Sequence, residues 1–364
     1  MKNGLIILCF IAQTVAAQKN DLAVIAYYSG SNTSEVEKFP IKDLTHIIFS
    51  FCYLRGNQLI VANKTDASMI RKLVSLKKKH PRLKIMLSLG GWGGCKTCSD
   101  VFSTDENRLA FAESVKQLCD KYGTDGIDID WEYPAIEGFP GHPYKPEDRD
   151  HFTALLMDLR KSLGNERIIS FAAGGFDKYI EQSVDWEKAM QYADFVNVMT
   201  YDLVNGYSTK TGHHTPLYSN SQQTLSIDNA VNNLVSRNVP RNKIIIGAAM
   251  YARVWKDVHD TANGLYQSGI FLENVSFKNF SSKFSANDGF RYYWDTTAKA
   301  PWMYSAEKKQ FATFDDTTSM RLKTRYVIDN GLGGIMFWQL TLDKYKGGLL
   351  DAIKKENTLH TDAR

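Results

Sequence analysis

The chain has 364 residues, of which 43% are hydrophobic, 12% aromatic and 23% charged, a composition that excludes a disordered chain, a collagen-like repeat and a polytopic membrane protein. Lys and Arg total 44 against 40 Asp and Glu, and the resulting net charge of +4 is too small to indicate a nucleic-acid partner. The aromatic content, with 7 Trp, 18 Tyr and 19 Phe, either fills the core or lines a surface.

Residues 1–17 are typical of a cleavable secretion signal. Lys2 supplies a positive charge, the stretch Leu5–Ala12 is apolar, and small residues up to Ala17 suit cleavage before Gln18. The apolar run is shorter than the roughly 20 residues that a membrane span requires. We therefore expect a secreted chain that is not anchored in a membrane.

Four cysteines lie beyond the predicted cleavage site, at Cys52, Cys95, Cys98 and Cys119. An even number in an exported protein permits disulfides, but four cysteines allow three connectivities and the sequence does not choose among them. Cys95 and Cys98 have the spacing of half a zinc site. Because no second Cys or His pair has a matching spacing, a local disulfide or free thiols are favoured over zinc.

Eight short runs are apolar on both faces, as parallel strands buried on both sides are. They are Leu22–Tyr28, His46–Tyr53, Lys84–Leu89, Gly126–Trp131, Arg167–Ala172, Phe195–Tyr201, Lys243–Ala249 and Gly334–Gln339. Amphipathic stretches between them predict helices, at Asp66–His80, Asp105–Tyr122, Glu147–Leu163, Ile227–Asn238 and Thr317–Asn330. The alternation predicts an α/β fold, a closed (β/α)8 TIM barrel. A doubly wound open sheet fits less well because no Gly-x-Gly-x-x-Gly follows the first strand.

The spacing of the elements changes once, after the seventh predicted strand. About 60 residues rich in Gly, Asn, Ser and aromatics separate Tyr251 from Thr317, too many for a bare loop. They predict a small α+β insertion subdomain between strands 7 and 8, at about residues 254–315. The expected organisation is one domain, residues 18–364, that contains this insertion.

The fourth predicted strand carries a row of acidic residues. Because side chains alternate along a strand, Asp128, Asp130 and Glu132 share one face, and Asp125 is out of phase with them. Like charge and desolvation should raise at least one pKa in this row toward neutrality. A protonated carboxyl group at the carboxyl-terminal mouth of a barrel is what general-acid catalysis requires.

Two other readings of the acidic row are weaker. A solvated acidic loop would not alternate with Ile and Trp. A cation site would require the spacing and glycine of a calcium loop or an adjacent His, and the segment has neither.

The motifs of the chain resemble those of glycoside hydrolase family 18, the chitinases. Asp125–Glu132 resembles the family's Asp-x-x-Asp-x-Asp-x-Glu motif. Four other family motifs follow their expected order, at Ser88-Leu89-Gly90-Gly91, Met199-Thr200-Tyr201-Asp202, Tyr251-Ala252-Arg253, with Ala in place of the family's Gly, and Gly334–Trp338.

The resemblance implies four catalytic residues. Glu132 would be the proton donor to the glycosidic oxygen. Asp130 would pass a hydrogen bond between Asp128 and the acetamido N–H of the substrate. Tyr201 would hold the acetamido oxygen, which attacks the anomeric carbon in place of a protein nucleophile and gives net retention. No metal and no organic cofactor is implied.

The resemblance also implies substrate-binding residues at the strand ends. Trp338 would form the platform under the sugar at the cleavage point, and Trp92 would stack a sugar on the acceptor side. Tyr27 and Phe51 would line the pocket, and Asp202 would contact sugar hydroxyls. The full set is Tyr27, Phe51, Trp92, Tyr133, Met199, Asp202, Arg253 and Trp338.

Three further observations concern these predicted substrate-binding residues and the loop beside them. Arg253 is either a site residue or a clamp between the barrel and the insertion. Asn205–Tyr207 occupies a loop where relatives often place a Trp, so we expect acceptor-side stacking to be weaker or shifted. The adjacent His213 and His214 should point apart, which favours loop scaffolding over a metal site.

The sequence therefore predicts a secreted, monomeric chitinase that cleaves β-1,4 linkages in chitin or chitooligosaccharides, with no nucleic-acid or membrane partner. An endo-β-N-acetylglucosaminidase that cuts the chitobiose core of N-glycans is the first alternative, because it shares the acidic strand. A chitin-binding lectin on the same barrel is the second, and such proteins typically lack the acid that Glu132 supplies here.

Overall fold

The computed structural model describes residues 22–362. The predicted signal segment, residues 1–17, lies outside that range. Within it the chain forms fourteen strands: β1 Ala23–Tyr28, β2 His46–Arg55, β3 Gln58–Ile60, β4 Lys84–Gly90, β5 Gly126–Asp130, β6 Ile168–Gly174, β7 Phe195–Met199, β8 Ile244–Ala249, β9 Tyr251–Lys256, β10 Ile270–Ser276, β11 Phe290–Asp295, β12 Ala300–Ser305, β13 Gln310–Thr313 and β14 Gly334–Trp338.

The same residues form ten α-helices. They are α1 Lys64–Leu76, α2 Cys98–Val101, α3 Asp105–Tyr122, α4 Asp148–Leu163, α5 Asp177–Gln182, α6 Trp186–Tyr192, α7 Ile227–Val235, α8 Phe280–Lys283, α9 Thr317–Asp329 and α10 Leu349–Asp362. No helix within residues 22–362 is both long and apolar enough to cross a lipid bilayer.

Eight parallel strands close into a barrel. Their order is β1-β14-β8-β7-β6-β5-β4-β2, and β2 pairs with β1 to complete the ring, while β3 extends β2 as an antiparallel hairpin. The (β/α)8 TIM barrel predicted from the sequence is confirmed. Each of the eight predicted strands corresponds to one barrel strand, which shows that burial on both faces was the informative pattern.

Two apolar layers explain that pattern. Outward-facing residues of the strands, such as Ile127 and Ile129, pack against the surrounding helices in the larger core cluster. Inward-facing residues, including Ile25, Ile48 and Met336, fill the barrel itself. Because both faces of each strand are covered, a polar residue on the inner face requires partners inside the barrel.

Carboxylates at the amino-terminal end of the barrel tie neighbouring strands together. Asp125 immediately precedes β5, and its Oδ2 accepts the backbone N–H of Ile85 at 2.8 Å and the ammonium group of Lys77 at 2.8 Å. Asp194 immediately precedes β7 and accepts the N–H of Ile169 at 2.8 Å. The out-of-phase Asp125 therefore belongs to the fold and lies at the end opposite Glu132.

The insertion is a second, five-stranded antiparallel sheet in the order β10-β9-β13-β12-β11, at residues 251–313. It has its own apolar core around Trp255 and Phe311. One buried residue, Met250, separates β8 from β9. Its N–H donates to the carbonyl of Trp338 at 2.9 Å, and its carbonyl accepts from the N–H of Phe277 at 2.9 Å. The insertion is therefore joined to the barrel without a free linker at this end.

A fully buried ion pair links the loops at the carboxyl-terminal end. Lys323 on α9 lies 2.6 Å from Asp315 and donates to the hydroxyl of Thr215 at 2.6 Å. Asp315 also accepts from the hydroxyl of Ser319 at 2.7 Å and from the N–H of Ala249 at 3.2 Å. Three separate segments therefore converge on one charge pair.

The four cysteines within residues 22–362 divide into one bonded pair and two thiols. Cys95 and Cys98 form a disulfide with their Cα atoms 5.3 Å apart, within a loop that follows β4. Cys52 and Cys119 are buried free thiols. Of the alternatives left open by the sequence, the local disulfide is the one observed.

Candidate active site

The three acidic residues predicted to share a face form a row that leads out of the barrel. Asp128 is fully buried, Asp130 is 4% exposed, and Glu132, two residues beyond the end of β5, is partly exposed. The row therefore runs from the barrel interior to the carboxyl-terminal mouth, where TIM-barrel sites are found.

Asp128 is held by four donors from four different strands. Its Oδ2 accepts from the hydroxyls of Tyr27 at 3.0 Å and Ser88 at 2.9 Å, and its Oδ1 accepts from Ser170 at 2.7 Å and Asn197 at 3.1 Å. Burial raises the pKa of Asp128, and these hydrogen bonds act in the opposite direction. With both oxygens occupied, Asp128 is a fixed acceptor beneath the site.

Tyr27 is not where the sequence analysis expected it. It does not line the cleft: it is 1% exposed, and its hydroxyl donates to Asp128 beneath the cleft. The reason is the inward position of Tyr27 on β1, whose side chains on that face fill the barrel.

Asp130 sits between its two acidic neighbours. Burial raises its pKa well above the usual range, and the charges of Glu132 and Asp128 act in the same direction. Its Oδ1 is buried without a hydrogen-bond partner among the described residues. A neutral carboxyl group with a free oxygen is able to donate to one partner and accept from another.

Glu132 has the pKa that a general acid needs. Burial raises the pKa of Glu132 to about 7, the nearby hydroxyl of Tyr133 lowers it, and the charge of Asp202 raises it. Near neutral pH this carboxyl group therefore exists in both protonation states, so it can give up a proton and take one back.

Asp202 is the anchored anion on the other side of the cleft. It accepts from the hydroxyl of Tyr251 at 2.7 Å and forms a bidentate ion pair with Arg253. Its backbone adopts the left-handed conformation, with φ of 57°, which Asp tolerates better than most residues. Burial raises the pKa of Asp202, but the guanidinium group of Arg253 and the nearby imidazole of His214 together outweigh it and keep this pKa far below its usual value.

The two adjacent histidines serve different regions. His213 Nε2 lies 3.2 Å from Asp295 in the insertion, and His214 Nδ1 lies 3.6 Å from Asp202 Oδ1. Both side chains are buried, as loop scaffolding would require. Within residues 22–362 no cluster of three or more His, Cys, Asp or Glu side chains could hold a metal ion.

A cleft with a volume of about 920 Å³ lies over the acidic row. Its floor is the stacked pair Phe51 and Trp338, with ring centroids 5.6 Å apart and planes 18° from parallel. Exposed rings flank the cleft elsewhere, where Trp92 and Tyr207 lie 6.1 Å apart. This size is at the upper end of the usual range for ligand sites, and the flat rings suit the apolar faces of sugars.

The cleft brings together most of the residues selected from the sequence. Ten of the twelve line it: Phe51, Trp92, Asp130, Glu132, Tyr133, Met199, Tyr201, Asp202, Arg253 and Trp338. Asp128 and Tyr27 lie beneath it. Tyr207 stands opposite Trp92, in the loop where the sequence led us to expect weaker or shifted stacking.

Several lining residues were missed. Phe271, Asn274 and Ser276 on β10 contribute a wall from the insertion, and no periodic pattern had assigned that strand. The donors Ser170 and Asn197 were also missed, although a polar residue inside an otherwise apolar strand is a readable signal.

The glycine pair after β4 is required by close approaches. A Cβ atom on Gly90 would lie 2.0 Å from the carbonyl oxygen of Asp130, and one on Gly91 would lie 2.3 Å from the ring of Phe51. Both glycines have positive φ, 114° and 81°. The pair therefore lets the chain turn directly against the acidic strand and the floor of the cleft.

We expect Gly91→Ala to displace Phe51 from its stack on Trp338 and to raise KM for a sugar oligomer several-fold. Gly141→Ala is the matched control, because Gly141 has a similar φ of 82° with nothing within 4 Å of the added carbon. Both variants should lose about 1 kcal/mol of unfolding free energy through the strained backbone. Urea denaturation and initial rates test this, and equal KM values for the two variants would contradict it.

The comparisons with known proteins agree with one another. Residues 23–343 match the model of the glycosyl hydrolases family 18. Chitinase A1 of Niallia circulans is 31% identical over 304 residues, covering 77% of this chain and 43% of that protein. Chitotriosidase-1 of Mus musculus is 31% identical over 349 residues, covering 88% of this chain and 72% of that protein.

A solved structure described as a glycoside hydrolase family 18 N-acetylglucosaminidase from Paenibacillus barengoltzii aligns with a TM-score of 0.83 and 34% identity, covering 92% of this chain and 99% of that one. The chain thus spans less than half the length of the bacterial chitinase and nearly all of the N-acetylglucosaminidase. Since the family model covers most of the chain, the protein belongs to the glycosyl hydrolases of family 18 and is a glycoside hydrolase.

Proposed function

We propose that the protein hydrolyses β-1,4 linkages between N-acetylglucosamine units of chitin or chitooligosaccharides, with retention and with assistance from the substrate. The observation that carries this proposal is the acidic row, in which Glu132 titrates near neutrality at the cleft and Asp130 is a buried acid with an unpartnered oxygen. Relatives described as chitinases support the choice of substrate.

In the first step, the carboxyl group of Glu132 gives its proton to the glycosidic oxygen as the bond from that oxygen to the anomeric carbon breaks. The acetamido oxygen of the same sugar attacks the anomeric carbon and forms an oxazolinium ion. Tyr201, 8% exposed at the cleft, donates a hydrogen bond that holds this oxygen. Asp130 accepts from the acetamido N–H and donates to Asp128.

In the second step, water adds to the anomeric carbon from the face that the leaving sugar vacated. The carboxylate of Glu132 takes the proton from that water, and the oxazolinium ring reopens to the acetamido group. Two inversions give net retention, and Glu132 returns to its protonated form.

The remaining cleft residues bind the sugar chain in this proposal. Trp338 forms the platform at the cleavage point beside Phe51, and Trp92 stacks a sugar on the acceptor side. Asp202, fixed by Arg253, accepts hydrogen bonds from sugar hydroxyls. An uncharged substrate is consistent with a cleft in which burial raises the pKa of both Asp130 and Glu132.

The deciding experiment is product analysis on a chitin hexamer labelled at its reducing end, with stereochemistry followed by NMR. Internal or stepwise cleavage with an initial β-anomer supports the proposal. An initial α-anomer would refute retention, and cleavage of N-glycans without cleavage of the hexamer would favour the endo-β-N-acetylglucosaminidase instead.

A second candidate is the release of single N-acetylglucosamine units from chain ends, favoured by the similarity to the Paenibacillus barengoltzii structure. The same experiment separates the two. Monosaccharide as the first product identifies the exo-acting enzyme, whereas dimers and longer products identify a chitinase.

We expect kcat/KM to fall as the pH rises through about 7, because Glu132 must carry its proton in the first step and its pKa is raised to about 7. The negative charge of Asp202 contributes to this raised pKa, so Asp202→Asn should move the alkaline limb to lower pH. Initial rates from pH 4 to 9 on a soluble oligomer test both. An alkaline limb that stays in place in Asp202→Asn would show that Asp202 does not set this pKa.

We further propose that residues 1–17 are removed on secretion and that residues 18–364 work as one monomeric catalytic domain with the insertion at about 254–315. Amino-terminal sequencing of protein collected from the medium should begin at Gln18. Light scattering should give the mass of one chain.

A further inference from the structure

We propose that Thr200 and Thr215 are positioning residues that hold Tyr201 in its place at the cleft. The buried ion pair of Lys323 and Asp315 fixes the direction in which the hydroxyl of Thr215 donates. The proposal rests on the reaction proposed above, in which the hydroxyl of Tyr201 holds the acetamido oxygen of the substrate. None of the other four residues is part of the lining of the cleft, so each of them acts through Tyr201.

The side chain of Tyr201 is held by its ring and its backbone. Within residues 22–362 its hydroxyl has no hydrogen-bond partner. Its ring packs edge-on against Tyr251, with centroids 6.4 Å apart, and lies against Gly247 of β8. A Cβ atom on Gly247 would lie 2.9 Å from Cε1 of Tyr201. The position of the hydroxyl therefore depends on how the backbone at Tyr201 is placed against β8.

Thr200, the residue before Tyr201, is fully buried and bonds twice to a single residue of β8. Its Oγ1 accepts from the N–H of Gly247 at 2.9 Å and donates to the carbonyl of Gly247 at 2.8 Å. The backbone pairing of β7 with β8 ends at Val198 and Ile246. The side chain of Thr200 therefore continues the pairing of the two strands beyond the point where their backbones separate.

Thr215 holds the carbonyl oxygen of Thr200, which belongs to the peptide group that leads into Tyr201. Its hydroxyl donates to that oxygen at 3.0 Å and accepts from the ammonium group of Lys323 at 2.6 Å. Because an ammonium group can only donate, the single proton of the Thr215 hydroxyl is left for the carbonyl. Thr215 is 2% exposed and Lys323 is fully buried, so both bonds lie away from bulk solvent.

Asp315 connects these hydrogen bonds to β8. Its carboxylate lies 2.6 Å from the ammonium group of Lys323 and accepts from the N–H of Ala249 at 3.2 Å. Ala249 lies two residues beyond the glycine of β8 that bonds to Thr200. The peptide group before Tyr201 is therefore tied to β8 at two places, directly beside Thr200 and again through the ion pair.

This arrangement matters for the reaction because the hydroxyl of Tyr201 lies at the far end of the ring. A small rotation of the peptide group before Tyr201 moves the hydroxyl by a larger distance. In an oriented reaction, a displacement of about 1 Å can cost on the order of 10²-fold in rate. A buried hydroxyl that served only the stability of the fold would have no such effect on the rate.

The test begins with Thr215→Val and initial rates on chitin hexamer. Val has nearly the shape of Thr but no hydroxyl to donate to the Thr200 carbonyl. We expect kcat to fall roughly 10- to 100-fold and KM to change by less than about twofold, because the misplaced hydroxyl of Tyr201 acts in the transition state. Thr215→Ser keeps the donor and should restore kcat to within about twofold of the unaltered protein.

Thr211→Val is the matched control, because Thr211 lies in the same loop and is also 2% exposed. Its hydroxyl donates to the carbonyls of Gly264 at 2.6 Å and Gln267 at 3.2 Å, both in the insertion. Like Thr215→Val, this variant should unfold at a lower urea concentration than the unaltered protein. Its kcat should nevertheless stay within about twofold of the unaltered value, whereas a purely structural role of Thr215 predicts that both variants behave alike.

Two further measurements show whether the effect passes through Tyr201. In a Tyr201→Phe background, Thr215→Val should lower kcat by less than about twofold, because the hydroxyl that it displaces is already absent. NMR of protein labelled at tyrosine Cζ requires no turnover. The resonance of Tyr201, assigned with Tyr201→Phe, should shift in Thr215→Val and stay in place in Thr211→Val.

Equal kcat in Thr215→Val and Thr211→Val, with no shift of the Tyr201 resonance, would overturn the proposal. A full further loss of kcat in the Tyr201→Phe background would overturn it as well, because Thr215 would then act on another part of the site. Normal kcat in Tyr201→Phe, or no cleavage of the hexamer by the unaltered protein, would refute the proposed reaction instead. In that case the NMR comparison still decides whether Thr215 positions Tyr201.

Discussion

Glu132→Gln should lower kcat on a chitin oligomer by a factor of about 10² to 10⁴, the usual contribution of a general acid. Gln has nearly the same shape as Glu but no proton to give to the glycosidic oxygen. Because the loss falls on the transition state, KM should change little. Isothermal titration with the oligomer should still show binding, since Trp338 and Phe51 are untouched.

Glu137→Gln is the control for this experiment. Glu137 is exposed and lies five residues further along the chain, outside the lining of the cleft. Its substitution should leave kcat unchanged. Substantial turnover by Glu132→Gln would show that Glu132 is not the general acid. Loss of turnover together with loss of oligomer binding would indicate a damaged cleft instead.

Lys323→Met should lower the free energy of unfolding by about 3 to 5 kcal/mol, the cost of leaving one partner of a buried ion pair without compensation. Lys323 and Asp315 are both fully buried, so the substitution leaves the carboxylate of Asp315 buried with no cation beside it. Burial lowers the pKa of Lys323, and the charge and hydrogen bond of Asp315 act against that shift. Urea denaturation measures the change through the midpoint.

The double variant Lys323→Met/Asp315→Leu should recover most of this loss, because it removes both charges. Lys354→Met is the surface control. Lys354 lies 3.2 Å from Asp43 with its side chain 44% exposed, so the change should be within about 1 kcal/mol. A loss below about 1 kcal/mol in Lys323→Met would mean that the pair contributes no more than an exposed one.

The barrel could be predicted because each of its strands is recognisable from the hydrophobic pattern of its own residues. Runs such as Gly126–Trp131 are apolar on both faces, and each is short enough for a strand. The acidic row was readable for the same reason, since alternation alone places Asp128, Asp130 and Glu132 together. Helix α5 and strand β10 were not predicted from the sequence. Each is short and partly exposed, so its residues show too little hydrophobic periodicity to be recognised.

The support of the site could not be predicted, because it depends on contacts that are distant in the chain. The donors of Asp128 come from four other strands, up to 101 residues away along the chain. Tyr27 looked like a pocket residue because it lies near the end of a strand, yet its inward position buries it and places its hydroxyl against Asp128. Only the closed register of the barrel decides which end-of-strand side chain faces the sugar and which faces the core.

The junction at Met250 has a consequence for turnover. Met250 is buried and hydrogen-bonded on both sides, to Trp338 and to Phe277, so the wall that the insertion contributes to the groove is held directly against the barrel strand that ends in Trp338. With the wall held in this way, and with the substrate proposed above, we expect a sugar chain to enter and leave along the groove past Trp92 and Tyr207 rather than through the opening of a lid. Product release past these two rings should then limit turnover. Variants with faster turnover should therefore be sought among substitutions of Trp92 and Tyr207 that reduce contact with the passing sugar chain.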